Sequence, residues 1–310
     1  MRRELFIGIP LFLIVAAIPA FAPWATLMLT TALGSGLVAL GMIILLRGGQ
    51  ISFGHGLFYA GGAYTVAFIA AAGIKLDVVV LLVLGTIMSA IIAATVGLFV
   101  VRYRDIFFAM INLALSMVAN ALLEKLYNIT GGSDGLNVPR PTFLWMDLGR
   151  TGFENAMFYG SLGLVVIISI LVARYLSSPL GMGLEAIKAN ETRLEYLGVS
   201  SRRVLYVGYV ISGALAGLGG AITAIVAAHV TPEMSFWTKS GEFVFIAVLG
   251  GSGHVAGAFS GAIVFELVRN YAAAFASSFW QAILGAALIA IILFAPSGIV
   301  GTLLRKGEAK

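Results

Sequence analysis

Long apolar runs follow one another along almost the whole chain, separated by short polar stretches. A helix needs about 20 mostly apolar residues to cross the hydrocarbon core of a bilayer. None of these runs alternates with period two, the pattern of strands in a membrane barrel. We therefore predict one all-α domain, 1–310, with about 8–10 membrane-spanning helices. The runs cover residues 5–22, 26–46, 52–73, 78–101, 106–126, 155–176, 204–228, 243–273 and 279–300.

The composition agrees with lipid as the solvent of this chain. Of 310 residues, 60% are hydrophobic and 11% are charged, whereas a soluble domain carries about 25% charged residues. The chain has no cysteine and three histidines, which excludes thiolate chemistry and argues against a zinc or redox enzyme. We expect no metal, no cofactor and no catalytic residues. The net charge of +5 reports membrane topology rather than binding of nucleic acid.

Basic residues at the ends of the runs predict the orientation, because Lys and Arg concentrate in cytoplasmic loops. All of these basic clusters fit a single arrangement of alternating crossings, which places the N-terminus and the loop 174–203 in the cytoplasm. The first 22 residues also resemble a secretory signal peptide, but Pro10, Pro19 and the span that follows favour an uncleaved first span. The cytoplasmic residues are Arg2, Arg3, Arg47, Arg102, Arg104, Arg174, Lys188, Arg193, Arg202 and Arg203.

The last part of the chain conflicts with a simple count of spans. Arg305, Lys306 and Lys310 predict a cytoplasmic C-terminus, but single crossings at 243–273 and 279–300 would leave it outside. The glycine-rich stretch GGSGHVAGAFSG interrupts the first of these runs. We therefore expect a broken element there, either two half-helices that dip in and return or several short crossings.

Residues 48–64, GGQISFGHGLFYAGGAY, place a histidine and a glutamine among six glycines. We interpret them as the start of a helix near the cytoplasmic face, where the glycines allow close backbone approach. Gln50, Ser52 and His55 are candidates to line or gate a pathway. Three roles stay open for His55: pinning backbone at a helix break, lining a pathway or gate, and relaying protons. The same three stay open for His254.

Three polar residues in the run 106–126, Asn112, Ser116 and Asn120, recur at i, i+4 and i+8. They form one stripe on a single helix, which we expect to face the bundle interior. Unpaired polar groups in a low dielectric are costly. The stripe is therefore a candidate to bind the polar ends of a transported molecule.

The pattern GHxxxxxxGA of residues 54–63 recurs at 253–262. Such echoes are expected of the repeated, inverted halves of transporters, although glycine and alanine are frequent enough here for chance to compete. Small residues also let helices approach closely, either inside the bundle or at a seam between subunits. The candidates for helix packing are Gly61, Gly62, Gly213, Gly217, Gly257 and Gly261.

The long polar loop 177–203 is predicted to carry a short amphipathic helix. Pro179, Gly181 and Gly183 break the preceding helix, and Gly198 supplies the C-terminal cap. An apolar stripe at helical spacing suits either a helix lying on the membrane surface or one docked in a groove of a partner protein. The stripe consists of Leu184, Ile187, Leu194 and Leu197.

Four motifs, from about residue 30 to 300, resemble the permeases of branched-chain amino-acid ABC importers, in particular the LivM-type branch. They are GGQISFGHGLFYAGGAY, TGGSDGLNVPRP, SPLGMGLEAIKANETRLEYLGVSSRRVLYVGYVISGALAGLGGAI and GGSGHVAGAFSGA. Such permeases carry a cytoplasmic loop with a Glu-Ala-Ala…Gly pattern that inserts into the ATPase subunit. Residues 185–187 and Gly198 match its ends, but Ile187 replaces the second alanine, the spacing is longer and no Leu-Pro closes the loop.

The resemblance implies an inner-membrane permease that imports branched-chain amino acids delivered by an external binding protein. It also implies a second related permease subunit, as a heterodimer, and two cytoplasmic ATPases. The chain itself contains no G-x-x-x-x-G-K-[ST] phosphate-binding loop. Carried onto this sequence, the ATPase-coupling residues are Glu185, Ala186, Ile187, Asn190, Glu191, Arg193 and Gly198.

Other functions stay open from the residues alone. Related permeases of the family carry urea or short amides, and no residue here separates those cargoes. An ion-driven transporter would need an intramembrane carboxylate such as Glu266 or Glu124, although Glu266 and Arg269, at i and i+3, are expected to pair. A membrane-embedded enzyme would need clustered catalytic groups, and the three histidines are dispersed in sequence.

Overall fold

The computed structural model describes residues 21–251 and 253–275 without a gap, together with residues 12, 15–19, 282, 285–286, 289 and 298–301. The predicted span 279–300 and most of the span 5–22, with its signal-peptide alternative, lie outside the described residues. So do the basic residues that predict a cytoplasmic C-terminus.

Nine helices of more than two turns build the described bundle, and side-chain caps fix several of their starts. Asp77, for example, accepts a hydrogen bond from the backbone N–H of Val79 at 2.9 Å. The helices are α1 (Thr26–Arg47), α2 (His55–Ala71), α3 (Val78–Val100), α4 (Asp105–Lys125), α5 (Arg150–Leu176), α6 (Pro179–Tyr196), α7 (Ser201–Ala227), α8 (Trp237–Gly250) and α9 (Val255–Phe275).

Five of these helices, α1, α3, α4, α5 and α7, are long and apolar enough to cross a membrane, and the bent pair α8–α9 adds a sixth if it counts as one span. The prediction of an all-α, multi-pass membrane bundle is confirmed. With 17 and 14 residues, α2 and α8 are too short for a full crossing. The described part therefore holds fewer full spans than predicted for the whole chain.

The predicted break in the run 243–273 is confirmed. Helices α8 and α9 meet at an angle of 116°. Between them, Gly251 has a φ of 101°, a conformation that glycine tolerates and other residues rarely adopt. An added Cβ on Gly261 would overlap the carbonyl oxygen of Ile246. The absence of a side chain at Gly257 and Gly261 thus lets α9 fold back closely against α8.

Helices α1 and α7 form the centre of the bundle. In the most apolar stretch of α1, 89% of residues are buried, and 72% in α7, against 22–33% in α3, α4 and α5. The three outer helices therefore present most of their surface to lipid. The central helices touch through small residues, with Gly34 against Gly219 and Gly41 against Ser212.

All six glycines predicted to serve helix packing lie at close contacts between helices of this same chain. An added Cβ on any of them would come within 2.9 Å of a neighbouring atom. This geometry favours packing inside the bundle over a seam between subunits. The contacts are Gly61 with Ile92, Gly62 with Gly217, Gly213 with Ala93, Gly217 with Ser89, and both Gly257 and Gly261 with Gly250.

The two glycine-histidine pairs occupy comparable places in the fold. Helix α2 begins at His55, and α9 begins at Val255, directly after His254. Helix α2 packs on α7, α9 packs on α1, and the two central helices pack on each other. This reciprocal arrangement is what two related halves would produce, and the inverted repeat stays a prediction.

A short antiparallel strand pair ties two loops together at the end of the bundle opposite α6. Strand β1 (Leu136–Asn137) pairs with β2 (His229–Val230), and the N–H of Val138 donates to the carbonyl of Ala228 at 2.9 Å. The loop that carries the TGGSDGLNVPRP motif thereby anchors the segment that follows α7.

Gly62→Ala should destabilise the bundle, because its methyl group would overlap the Gly217 backbone. Overpacking costs about 1–3 kcal/mol, and more where backbone is the obstacle. We expect a lower melting temperature for the purified protein in detergent. Gly163→Ala on α5 is the matched control, since no described atom lies within 4 Å of the methyl group it would add. Equal melting temperatures for the two variants would contradict the packing role.

Candidate functional site

Two segments without α-helix enter the bundle from opposite ends and meet inside it, and we call them the non-helical segments. Segment 48–54 connects α1 to α2, and segment 228–236 connects α7 to α8. The second contains strand β2 and one short 3-10 turn, Pro232–Ser235. The two segments meet where Gly56 lies against the carbonyl groups of Ser235 and Phe236. We call this meeting point the deep centre. It comprises Gly54, His55, Gly56, Asn112, Ser116, Tyr209, Ser212, Ser235 and Ser240.

His55 lies in the deep centre. Its side chain is fully buried, and its Nε2 atom lies 2.6 Å from Ser212 Oγ. Ser212 is the twelfth residue of α7, counted from Ser201, which puts His55 about 16 Å along that helix at 1.5 Å per residue. Helix α2 therefore starts inside the bundle, after segment 48–54 has entered it. Its position relative to the cytoplasmic face stays a prediction.

The other ring nitrogen of His55 is available for a further interaction. Among the described residues, Nδ1 has no hydrogen-bond partner. The ring also meets that of Phe58 edge-on, with centroids 5.9 Å apart. His55 is thus fixed by Ser212 on one side and keeps one polar atom free of protein partners on the other, as both the pinning and the gating interpretations require.

The glycines beside His55 allow backbone to approach backbone. A Cβ on Gly54 would lie 2.8 Å from Asn112 Oδ1, and one on Gly56 would lie 3.0 Å from the carbonyl oxygen of Ser235. The N–H of Gly56 donates to Ser240 Oγ at 2.8 Å. The first turn of α2 is therefore joined to α4, to segment 228–236 and to α8.

Gln50 and Ser52 both satisfy backbone groups near helix starts. Gln50 Oε1 accepts from the N–H of Asp105 at 2.8 Å, at the first residue of α4. Ser52 Oγ accepts from the N–H of Gly54 at 3.3 Å, just before α2. Both side chains are buried. Their predicted place on a pathway stays a prediction.

The polar stripe of α4 faces the interior as predicted, and its members bind protein groups. Asn112 Oδ1 accepts from Tyr209 Oη at 2.6 Å. Ser116 Oγ donates to the carbonyl of Ser235 at 2.6 Å, and Asn120 Nδ2 donates to that of Pro232 at 3.0 Å. The stripe thus holds the backbone of segment 228–236 inside the bundle. Whether it also lines a pathway stays a prediction.

Helix α4 lies at the edge of the bundle and contacts it along one side. Its buried residues are Phe108, Asn112, Ser116 and Asn120, and Ile111, Leu115 and Leu123 are half-buried against the core. The opposite side is exposed, including Ile106, Phe107 and Met110. The helix is therefore held by the hydrogen bonds of the stripe together with a narrow apolar contact.

Helix α6 differs from the prediction in its start and in its continuity. It begins at Pro179, after Ser178 as N-cap, and runs through Gly181 and Gly183. Those glycines are needed because α6 packs closely there, with Gly183 over Val204 of α7. The helix is also kinked at Asn190, whose Oδ1 accepts from the N–H of Arg193 at 2.9 Å.

The predicted apolar stripe of α6 packs against this chain's own bundle. Leu184, Ile187 and Leu194 are buried, whereas Leu197 is 75% exposed. The three buried residues cover the ends of α1 and α7. They therefore face neither a membrane surface nor the groove of a partner, the two settings that the sequence left open. Gly198, with a φ of 81°, ends the helix as predicted.

Ion pairs fix α6 to the bundle, and we call them the latch. Arg47 at the end of α1 binds Glu185 at 2.9 Å and also donates to the carbonyl of Gly253, between α8 and α9. Arg104, just before α4, binds both carboxylate oxygens of Glu191, with the shortest distance 2.7 Å. The latch therefore connects α6 to the end of α1 and to the start of α4.

The remaining candidates lie near the latch. Ala186 is half-buried and Arg193 is exposed, both on α6. His254 is half-buried in the turn before α9, and its backbone carbonyl accepts from the N–H of Gly257 at 3.0 Å. It is not part of the deep centre. His254 therefore does not share the surroundings of His55, although both precede a helix.

Sequence reasoning missed several residues of the site. Ser212, Ser235 and Ser240 were detectable as isolated hydroxyls in or beside apolar runs, which suggests a buried partner. Tyr209 gave no signal, since tyrosine is common near membrane interfaces. Arg47 and Arg104 were interpreted only as markers of topology, and their roles in the latch required the tertiary structure.

Comparison with known proteins gives one family. Residues 24–292 match the model of the family described as the permease component of branched-chain amino acid transport systems. No solved structure matched the chain.

Several curated proteins are similar over most of this chain. The LivM permease protein of the high-affinity branched-chain amino acid transport system of Escherichia coli is 28% identical, covering 81% of this chain and 64% of its own length. The LivH protein of Salmonella typhimurium is 26% identical over 82% of this chain and 86% of its own. The BraD protein of Pseudomonas aeruginosa is 25% identical over the same shares. The chain thus spans less than two thirds of the length of the Escherichia coli LivM protein.

Tyr209→Phe should destabilise the protein, because Asn112 Oδ1 would lose the buried hydroxyl that donates to it. An unsatisfied buried polar group costs about 1–3 kcal/mol. We expect a lower melting temperature in detergent and a nonadditive double variant with Asn112→Ala. Tyr159→Phe, at an exposed position, is the control. Strict additivity of the Tyr209 and Asn112 changes would show that the two side chains do not interact.

The latch predicts a pH-dependent contribution to stability. The hydrogen bond from Arg104 lowers the pKa of Glu191 below its ordinary value of 4.5, with burial partly opposing it. A lowered pKa means that the stabilisation is present above pH 4.5 and is lost as the pH falls through the lowered pKa.

We therefore expect Glu191→Gln to reduce the melting temperature at neutral pH, by an amount that disappears at acidic pH. The effect is bounded at about 1 kcal/mol because the pair is partly exposed. Glu154→Gln, which breaks the more exposed Arg150–Glu154 pair, should have the smaller effect at neutral pH. A difference between Glu191→Gln and the unsubstituted protein that stays constant down to low pH would count against the latch.

Proposed function

We propose a transport function from one premise: the chain belongs to the family of permease components of branched-chain amino acid transport systems. The match of residues 24–292 to that family carries the proposal. We infer that the chain is the membrane-spanning subunit of an ATP-driven importer in the inner membrane. Its multi-pass helical bundle and its interior polar segments support a role as a pathway-forming subunit.

The proposed cargo is a branched-chain amino acid, handed over by an external binding protein. The names of the similar proteins support this cargo. A permease served by a binding protein needs to release its cargo rather than hold it. A glycine-rich interior with scattered polar groups suits that task, since few side chains grip the apolar part of an amino acid.

The proposed partners are a second related permease subunit and two cytoplasmic ATPases. LivM and LivH are distinct permease proteins of the same transport system in Escherichia coli, and this chain is similar to both. A heterodimer of two such permeases is therefore the simplest assembly. ATP hydrolysis would take place on the separate ATPases, and both termini of this chain would be cytoplasmic.

The latch supports a route for coupling. A push on α6 from an ATPase would act through Glu185 and Arg47 on the carbonyl of Gly253, where α8 and α9 meet. It would also act through Glu191 and Arg104 on the start of α4. From there, Gln50 contacts the N–H of Asp105 and so reaches the segment that leads to His55.

In this proposal the deep centre is the gate. His55 and Ser212 hold α2 to α7, while Ser240 holds α2 to α8. Movement of α4 or α8 would separate the two non-helical segments there. The family match disfavours proton relay by His55, because ATP would supply the driving force. A His55→Ala variant that assembles and transports normally would remove both the pinning and the gating roles.

An ion-driven transporter is the alternative that one observation favours, since Glu266 is a buried carboxylate on α9. That carboxylate has a counter-charge, as Arg269 lies 3.7 Å away. The pairing accounts for its burial without an ion-binding role. Transport of urea or short amides stays open within the family and is tested by the cargo assays below.

Purification from native membranes in mild detergent, followed by mass spectrometry, tests the assembly. We expect a second hydrophobic permease and ATPases with phosphate-binding loops to accompany this chain. Recovery of the chain alone through several mild detergents would instead favour the ion-driven transporter.

Tyr196→Asp and Leu197→Asp should reduce recovery of the ATPases. These side chains are 88% and 75% exposed at the end of α6, where they are available to a partner. Removing one well-packed anchor costs about 2 kcal/mol or more, so recovery should fall severalfold. Trp145→Asp, with 76% exposure at the opposite end of the bundle, is the matched control. Full recovery with both α6 variants would mean that this surface faces lipid or water.

A further inference from the structure

A cavity of about 670 Å³ lies at the end of the bundle opposite α6. Its walls come from α1, α2, α7, α8, α9 and segment 228–236, and we call it the chamber. Its volume falls within the range of small-molecule sites, about 300–1,000 Å³. The residues that line it include Tyr59, Glu233, Phe236, Lys239, Glu242, Phe265 and Arg269.

The chamber adjoins the deep centre. Tyr59 lines it and lies one turn after His55 on α2. The ring of Tyr59 packs against that of Phe243 on α8, with centroids 5.1 Å apart. Ser240, which is also on α8, accepts a hydrogen bond from the N–H of Gly56 in the deep centre. A molecule in the chamber would therefore be one helical turn from the proposed gate.

Four charged side chains line the chamber, and their charges sum to zero. Two are acidic, Glu233 and Glu242, and two are basic, Lys239 and Arg269. Lys239 Nζ lies 2.6 Å from Glu242 Oε2, and both side chains are only 17–20% exposed. Charged groups taken out of water are costly unless they are paired. A few polar groups that converge in a mostly apolar pocket are typical of a small-molecule site.

A second ion pair lies next to the chamber and includes Arg269 of its lining. Glu266 lies 3.7 Å from Arg269, with the Glu266 side chain almost fully buried. Both basic groups that border the chamber therefore have an acidic partner on the same helix, three residues away. Each of these pairs is neutral, and Glu233 is the lining carboxylate that belongs to neither of them. The pairs can open toward a ligand that offers one charge of each sign.

The same chamber has an apolar side. Phe236 and Phe265 line it together with Met234 and Phe245. A branched aliphatic side chain could pack there, while an ammonium group meets Glu233 or Glu242 and a carboxylate meets Lys239 or Arg269. Urea and short amides carry no charges to match these four residues, so they would leave the pairs closed.

We propose that the chamber is a binding site for a zwitterionic amino acid, with Lys239 and Glu242 as its specificity-determining pair. This inference rests on the proposed transport function and deepens it, because it assigns the cargo class to named residues of this chain. The lining offers both acidic and basic groups, which suits a cargo that carries one charge of each sign. A ligand with a single charge would leave one basic or one acidic group without its partner.

The test is uptake of radiolabelled leucine by the full complex, with the loaded binding protein in excess. Lys239→Gln and Glu242→Gln should each reduce uptake at least about tenfold, as expected for the loss of one charge-assisted hydrogen bond. The exchange variant Lys239→Glu/Glu242→Lys keeps an ion pair and reverses its direction. It should assemble into the complex and still fail to transport leucine.

The exchange variant separates binding from structure. If it transports leucine within about twofold of the unsubstituted complex, the pair serves only to stabilise the fold and the proposal is overturned. The matched control is the exchange Arg150→Glu/Glu154→Arg, which reverses an ion pair on α5 outside the chamber. Its uptake should not change.

Chemical labelling covers the case in which the charge variants do not assemble. The chain has no cysteine, so Thr238→Cys places a unique thiol of this chain in the chamber wall. Its modification by a membrane-impermeant thiol reagent should block leucine uptake. The Arg150→Cys complex, labelled on α5, should keep its leucine uptake. The unsubstituted complex, treated with the same reagent, should keep it as well. Full uptake by the labelled Thr238→Cys complex would overturn the proposal.

Failure of this inference can be told from failure of the proposed function. If the unsubstituted complex imports leucine but is indifferent to changes at Lys239, Glu242 and Thr238, only the chamber assignment falls. If the unsubstituted complex imports a short amide or urea and no leucine, the cargo itself is wrong, and the chamber assignment falls with it.

Discussion

Backbone groups that leave a helix inside a membrane protein must find hydrogen bonds within the protein, because lipid offers none. In this chain that constraint applies to the two non-helical segments that meet at the deep centre. Ser116 and Asn120 bind carbonyl groups of one segment. Ser52 belongs to the other segment and accepts the N–H of Gly54 at its end. Gln50, in the same segment, accepts the N–H of Asp105 at the start of α4. Several buried polar residues of the interior follow from this requirement.

The same constraint shapes the packing around the segments. Hydrogen bonds between backbones and short side chains need the helices to be close, and glycine allows that approach. Gly62 against Gly217 and Gly54 against Asn112 are examples in which any side chain would force the elements apart. The central helices α1 and α7 are correspondingly rich in small residues. The interior is thus tightly packed, with the buried polar groups of the deep centre set in a mainly apolar core.

A bundle held in this way can have a defined moving part. Helix α4 is largely exposed outside its polar stripe and a narrow apolar contact, and the N–H of its first residue donates to Gln50. Helix α6 is joined to the rest by ion pairs that lie partly in solvent. Movement of α4 would change contacts at the deep centre through Asn112 and Ser116. Helix α6 is joined to the start of α4 by the Arg104–Glu191 pair. Hydrogen bonds and ion pairs can exchange partners more readily than a packed apolar core.

The sequence predicted the fold class well, because long apolar runs and glycine interruptions are direct consequences of a membrane environment. It also located the break before α9 and the inward direction of the stripe Asn112, Ser116 and Asn120. It could not show that α2 starts deep in the bundle. That placement depends on the path of segment 48–54 through its neighbours.

The partners of buried side chains were equally hidden from sequence. Ser212 lies 157 residues from His55 along the chain, and no local pattern relates them. For α6, amphipathic spacing identified a helix with one apolar face but could not tell that this face covers α1 and α7. Arg47 and Arg104 were informative about orientation, yet their contacts with Glu185 and Glu191 depend on the tertiary fold.

The central claim is that this chain forms the pathway of an importer driven by ATP on separate subunits. The most direct measurement is leucine uptake by proteoliposomes that contain the purified complex, with the binding protein outside and ATP supplied to the ATPases. The account predicts uptake that requires both ATP and the binding protein and does not respond to a proton or sodium gradient. Uptake by this chain alone, driven by such a gradient and indifferent to ATP, would contradict it.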